Sequence, residues 1–363
     1  MKKLFYNINS FFNRKLELNE NLIGQLKNEK LNILDIGASG SYHVNKFNIF
    51  FSKYPNVSTI IKFDEINRIE QSVSDKVYDD YLWSENTSMN FYTTYNKVSS
   101  SFYKPNQKNL QDFVNFTDHV VIDEQKKKLK KLDDIEFDFN FDFIKIDAEG
   151  SEFEILKGAE KSIKKNLGFE IEQQFIERFE NSPSYQIISE HIDKLGYEVF
   201  LMNTESWKKK NSYTNINTNL KLVWADFLYF LKYENFKNLV LEHKNREIII
   251  IKQIILFLMY NLHNEAKSLI DKLLKDDLIS INFYDDLKKF LLLNLESNTK
   301  IILNSFLQLL FSILILFIGI FISRYRANSL NYFNKCFRNF FHLISKLTRF
   351  KGEKNSVTHD LNF

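Results

Sequence analysis

"FDFIKIDAEGSEFEILKGA", residues 141–159, decides the fold. Phe141, Phe143, Ile144 and Ile146 form an apolar run of strand length, and Gly150 opens a turn. Ser151 and Glu154 then have the S-x-x-E spacing of a capping box, and Phe153, Leu156, Ala159 and Ile163 recur on one helical face. A strand that turns straight into a helix is the repeating unit of a parallel α/β sheet. This strand also holds Lys145, ends on Asp147 and is followed at once by Glu149. Lys145 and Asp147 are two residues apart, so both point to one face. A lysine in a strand covered on both sides is costly unless paired. Lys145 therefore pairs with Asp147, either orienting a working carboxylate or only bracing the sheet, or else it escapes to the sheet edge.

Upstream, 31–36 is an apolar strand closed by "DIGASGS", and a helical pattern follows until Pro55-Asn56. A second strand, 57–63, ends in Asp64-Glu65, and a third ends at "YLWS", 81–84. "MNFYTTY", 89–95, alternates with period two and reads as a hairpin strand. "VSSSFYKPN", 98–106, reads as a loop and "HVVID", 119–123, as a short strand. The basic run 125–131 has no interleaved aromatics and reads as a solvated helix or turn, not a nucleic-acid patch. Downstream, "GFEIE", 168–172, is the next strand. Ser182-Pro183 opens a helix with Ser as cap and Pro first, and Gly196 closes it. "YEVFLM" and "VWADFLYFL" finish the strands as an antiparallel edge hairpin. The expected fold is α/β, a mostly parallel sheet with helices on both faces.

The organisation read from this pattern has four parts: a polar-aromatic N-terminal helical extension (1–30), the α/β domain (31–232), a helical region without Gly or Pro (233–300), and a tail (301–363). The 363 residues carry a net charge of +3, but unevenly: from residue 301 onward there are 8 basic and 2 acidic residues. The body is weakly acidic and offers no basic face for nucleic acid. A single cysteine, Cys336, excludes an internal disulfide framework and a cysteine zinc site, and fits a reducing compartment. The seven histidines form no HxH or HxxxH pair, so no histidine metal site is expected. The opening "MKKLFYNINSFFNRK" has no long apolar core and is not read as a signal peptide.

"LNILDIGASGS" runs a strand through Asp35, Gly37 and Gly40 towards a helix. Glycines let backbone approach a ligand, and a helix start offers free N–H groups. Ser39 and Val44 break the G-x-G-x-x-G dinucleotide pattern. An acidic residue before the first glycine suits the ammonium of S-adenosylmethionine better than a pyrophosphate. Asp64 ends the next strand, where a carboxylate reaches ribose hydroxyls in open α/β sheets.

In order, Asp35-Ile-Gly37-Ala-Ser-Gly40, Phe63-Asp64-Glu65, "SSSFYKPN", "DFIKIDAEGSEFEILKGAEK" and "VWADFLYFLK" resemble the landmarks of the FkbM family of S-adenosylmethionine-dependent methyltransferases, over about residues 30–232. The resemblance implies a Rossmann-like methyltransferase fold and O-methylation of a hydroxyl, commonly on a sugar, polysaccharide or secondary metabolite. It implies that Asp35, Gly37 and Gly40 line the methionine part of the cofactor and that Asp64 holds the ribose. It places 82–84, with Trp83 and Ser84, beside the adenine, and turns Asp147 and Glu149 towards the methyl group and the acceptor. Two positions depart from the family pattern: Ser39 stands where Asn is usual, and Asp64-Glu65 where Glu-Pro is usual. Both keep polar character, so Ser39 is retained among the cofactor-binding positions.

Methyl transfer is an in-line displacement from a sulfonium, and a hydroxyl acceptor gains from a base within hydrogen-bond reach. Asp147, with Lys145 beside it, is the candidate base. Glu149 is base, substrate contact or an anion for the free N–H groups of the helix start. Two close carboxylates suit Mg²⁺ as well, but no metal is expected. His43 and His119 are read as surface or packing residues, and Glu170 and Glu172 as substrate contacts or edge residues.

Residues 301–322 are 22 uncharged residues, enough to span a bilayer, and the segment from Leu330 to Leu347 has basic amphipathic helical spacing. Membrane association through 301–350 is expected, with the catalytic domain cytoplasmic and the topology open. The leading reading is an S-adenosylmethionine-dependent O-methyltransferase acting on a hydroxyl of a glycan, lipid-linked sugar or similar metabolite at the cytoplasmic membrane face. The alternatives are a non-catalytic, membrane-anchored cofactor- or partner-binding module of the same fold, and a nicotinamide-dependent oxidoreductase.

Overall fold

The computed structural model of the chain describes residues 16–37, 46–64, 76–211 and 220–295, with single positions at 310, 313 and 337. Its centre is a seven-stranded sheet in the order β3-β2-β1-β7-β8-β10-β9. The strands are β1 (Leu31–Ile36), β2 (Ser58–Phe63), β3 (Lys76–Tyr78), β7 (Phe143–Ile146), β8 (Gly168–Gln174), β9 (Tyr197–Trp207) and β10 (Lys221–Leu231). β3, β2, β1, β7 and β8 pair in parallel, whereas β10 is antiparallel to both its neighbours. Every residue of β1 and β2 is buried, as strands covered on both faces must be. The expected α/β fold and its terminal hairpin are present. The second hairpin strand lies inside, and β9 forms the edge.

The opening stretch folds as read, strand β7 then helix α4 (Glu152–Lys157), with α1 (Glu20–Asn28), α2 (Lys46–Lys53) and the short α3 (Gln107–Leu110) before it. Ile144 and Ile146 face the core formed with Ile155, Leu156 and Ile163. The helix after Pro183, α5 (Tyr185–Lys194), starts later than the Ser-Pro signal implied. Ser184 holds its cap position, and Ser182 instead donates its hydroxyl to the Phe179 carbonyl at 2.9 Å. Gly196 ends the helix with φ +90°.

The basic run is a strand, not a solvated helix or turn. β6 (Val121–Lys130) lies between β4 (Tyr81–Leu82) and β5 (Thr87–Thr94) in a separate three-stranded sheet. Only Leu129 of β6 is buried. With most of the strand wet on both faces, the sequence shows no alternation, and hydrogen bonding to β5 alone holds its middle extended. The strand expected to end at 81–84 is split: β3 joins the large sheet and β4 the small one.

Among the described residues four helices follow the sheet: α6 (Tyr233–Glu242), α7 (Arg246–Met259), α8 (His263–Lys275) and α9 (Ile281–Leu293). Residues Lys15–Lys288 form one compact unit. Within it α7 is buried from Ile248 to Leu258, and it covers one face of the sheet together with α2. Phe257 meets Phe230 at 4.8 Å between ring centroids, and Tyr260 meets Phe143 at 5.6 Å and Phe47 at 6.2 Å. Lys252 of α7, 3% exposed, is 3.0 Å from Asp142 and 3.5 Å from Glu29. Asp142 also accepts the Asn32 N–H at 2.7 Å.

Among the described residues no helix is long and apolar enough to cross a membrane. The 301–322 run and the basic amphipathic segment lie outside the described residues, apart from the three single positions. Lys252→Met should leave Asp142 as a buried charge without its cation and cost about 3–5 kcal/mol in urea denaturation. Adding Asp142→Asn, which keeps an acceptor for Asn32, should recover most of that loss.

Candidate active site

The strand ends converge through one backbone contact. Gly37, just beyond β1, has φ +76°, and a Cβ there would collide with the Asp147 carbonyl. Its N–H donates to Phe63 at 3.0 Å, while the Asp147 N–H donates to Ile36 at 3.0 Å. Around this junction a cleft opens at the carboxyl ends of the strands, where open α/β sheets place ligands. Gly37, Asp64, Asp147 and Glu149 line it. Asp80, Leu82, Ser101 and an aromatic wall of Tyr81 and Phe91 from the small sheet and Phe102 from the loop after β5 line it as well.

Three expected positions lie elsewhere. Trp83 is buried behind the wall among Phe91, Phe102 and Leu129, and neither it nor Ser84 lines the cleft. Gly158 explains the arrangement: a Cβ there would strike the Trp83 carbonyl, so the segment 82–84 is pressed against the end of α4. Asp35 is 3% exposed and sits beneath the cleft lining. Ser39, Gly40 and His43 lie outside the described residues.

Asp35 belongs to a row of alternating charge across four strands. Lys62 of β2 is in register with Asp35 of β1, Asp35 with Lys145 of β7, and Lys145 with Glu170 of β8. The Lys145 ammonium is 3.0 Å from Asp147 Oδ2 and 4.0 Å from Asp35 Oδ1. It is paired and does not escape to an edge. Burial pulls its pKa down, but Asp147 and Asp35 outweigh burial and hold it above the ordinary lysine value. Burial raises the Asp35 carboxyl despite Lys145 and Lys62. Asp147, its side chain 35% exposed, is the carboxylate of the row's end that reaches the cleft.

The turn after Asp147 is held from every side. Glu149 takes φ +50°, unusual for a side chain with a Cβ, and Gly150 takes φ +99°. The Glu149 carbonyl accepts the Ser101 hydroxyl at 2.6 Å. The expected capping box is not formed: the Ser151 side chain makes no cap bond. Glu152 instead ties down the preceding turn, accepting the N–H groups of Ala148 at 2.9 Å and Gly150 at 3.1 Å. Burial lifts Glu152 to a pKa of about 7 although these N–H groups oppose the shift.

Glu149 itself pairs with Arg178, whose Nη2 donates to both Glu149 and Glu172, the latter at 2.7 Å. Arg178 is 3% exposed and lies against Phe179, Trp207 and Trp224. Carboxylate oxygens of Asp147, Glu149 and Glu172 lie within 4.8 Å of one another, close enough for a cation. The Arg178 guanidinium already supplies positive charge to two of the three. Glu172 is thereby a buried ion-pair partner rather than an edge residue. Arg178, Glu152, Asp80 and Ser101 were missed in the sequence. Of these, Ser101 lay within the "SSSFYKPN" stretch that carries the family resemblance, and no signal marked the other three.

The FkbM methyltransferase domain matches residues 15–199, just over half of the chain. The chain belongs to the FkbM methyltransferase family. No curated protein matches it. The family supports methyl transfer as the reaction, and its matched segment contains Gly37, Asp64, Lys145, Asp147, Glu149 and Arg178. The FkbM segment ends inside β9, so β10 and α7 lie beyond it.

Gly37→Ala should cost on the order of 2–4 kcal/mol in urea denaturation, because it combines positive φ with overlap. Gly24→Ala, mid-α1 with nothing within 4 Å of the new methyl, should instead gain about 0.5–1 kcal/mol. Glu152 binds its proton more tightly folded than unfolded, so its contribution to stability falls as pH rises from 4.5 to about 7. Glu152→Gln should therefore gain stability relative to the parent over that window, read from urea midpoints at pH 4.5, 6 and 8.

Proposed function

We propose that the protein is an S-adenosylmethionine-dependent O-methyltransferase. The observation that carries this reading is Asp147: it is the half-exposed carboxylate at the centre of the strand ends, braced by Lys145 and open to the cleft. The lining suits the cofactor's chemistry. Asp64 and Asp80 are acceptors for ribose hydroxyls and an exocyclic amine, and an acidic cleft suits a sulfonium. The turn at Gly37 leaves no room for a side chain between the cleft floor and the Asp147 backbone. S-adenosylmethionine, when bound, supplies the methyl group.

Asp147 accepts the proton of the acceptor hydroxyl as that oxygen becomes nucleophilic. Lys145 holds the carboxylate by one oxygen, Oδ2. Arg178 and Ser101 fix Glu149, one by its side chain and one by its carbonyl, so that it forms a rigid wall beside Asp147. Tyr81, Phe91 and Phe102 keep that side of the cleft apolar and exclude water. We extend the reading to a hydroxyl of a glycan, lipid-linked sugar or similar metabolite as acceptor, and to membrane association through 301–350 with the domain in the cytoplasm. The apolar run 301–322 and the basic residues after it support the latter.

Calorimetric titration of the full-length protein with S-adenosylmethionine and with NAD is expected to give tight binding of the first alone. Absence of S-adenosylmethionine binding would sink the proposal. Asp147→Asn should keep cofactor affinity within about threefold while lowering transfer to an accepted hydroxyl by about 10²–10⁴. Deletion after Thr299 should move the protein from the membrane to the soluble fraction.

A further inference from the structure

His119 lies outside the cleft lining, yet it packs against the same two aromatic rings as the arginine that fixes Glu149. Its ring is 3% exposed, at the end of a short helical turn before β6. The ring centroid is 5.2 Å from that of Trp207 and 6.4 Å from that of Phe179. The Arg178 guanidinium carbon is 5.9 Å from the Trp207 centroid and 5.2 Å from that of Phe179. The imidazole and the guanidinium thus share two aromatic walls.

Each side chain has one buried polar atom without a hydrogen-bond partner, and the two atoms are complementary. Arg178 makes both its carboxylate bonds from Nη2, which leaves its Nε–H buried and without an acceptor. His119 Nδ1 is 3.2 Å from the Asn115 carbonyl, which can only accept, so the proton belongs on Nδ1. Nε2 is then a bare lone pair, and it too is buried without a partner. A buried donor left without an acceptor destabilises the fold. Such pairs of orphaned atoms are where proteins hold an internal water.

We propose that His119 is a positioning residue for the candidate active site, accepting the Arg178 Nε–H through one bridging water and so fixing the arginine that holds Glu149 and Glu172. The chain of contacts runs Asn115 carbonyl, imidazole, water, guanidinium, Glu149 carboxylate. Burial and the neighbouring Arg178 charge lower the His119 pKa to about 4, so the imidazole stays neutral and able to accept at physiological pH. The role fits a histidine better than a purely apolar residue. Phe would fill the same aromatic box but offer no lone pair.

The consequence for catalysis rests on the methyl-transfer reading, but the bond is measured without cofactor or acceptor. Full-length protein labelled with ¹⁵N-histidine should show His119 as the Nδ1–H tautomer at pH 7.5. An Nε2–H tautomer would overturn the proposal without any variant. In ¹⁵N-arginine-labelled protein the Arg178 Nε–H should resist solvent exchange. His119→Phe should speed that exchange by about tenfold or more, as expected for a hydrogen bond from a charged group. His119→Gln, whose amide oxygen can accept, should restore protection to within about threefold of the parent. A folded His119→Phe with unchanged Arg178 exchange would refute the bond. Failure of S-adenosylmethionine to bind would leave these readings intact, so the two proposals fail separately.

Discussion

The site depends on a lysine kept inside a parallel sheet. Strands buried on both faces are normally continuous apolar runs, and an ammonium among them has to be compensated where it stands. Lys145 is compensated along the strand by Asp147 and across it by Asp35. Lys62 and Glu170 extend the same alternation outward by one strand each way. The charges therefore help fix one another's strand register. A one-residue slip of β7 would put Lys145 into the isoleucine core and Ile146 among carboxylates. The same register delivers Asp147 to the cleft, so the constraint that aligns the sheet also aims the candidate base.

A second layer holds the turn that follows. Positive φ at Glu149 and Gly150 is tolerable because Glu152, Ser101 and Arg178 each bind a different part of it. Such over-determination is how a strained turn is kept in one conformation. Its supports come from three separate elements: α4, the loop after β5 and the segment after β8. The small sheet and the loop after β5 then supply an aromatic wall opposite. The cleft is thus assembled by contacts of long sequence separation around one short strand.

Much of this was legible in the sequence, and the reasons differ by element. β1, β2, β7 and β8 announce themselves as apolar runs closed by acidic or glycine residues. Lys145 was legible as a conflict, a charge where none is affordable without a partner. The lysine run of β6 was misread because a ribbon wet on both faces has no period-two signal. Ser151 looked like a cap, but its side chain makes no cap bond, and Glu152 binds N–H groups of the turn before the helix. Arg178 was invisible because it is 29 residues from Glu149 and only the return from β8 brings them together. Trp83 illustrates a subtler miss: its segment borders the cleft, yet the glycine at 158 draws it into the packing behind.

The strand order also governs how the chain can be made. On the ribosome β9 emerges before β10, yet in the sheet β9 touches only β10. Until residues 221–231 have left the exit tunnel, an eleven-residue strand has both edges open. Helix α7, synthesised later still, carries the lysine that neutralises Asp142 at the far end of β7. The nascent chain therefore exposes β8's free edge until β10 has emerged, and an uncovered sheet face until α7 follows. That interval is when self-association through strand edges competes with folding, and when a chaperone that shields apolar strands has most to protect.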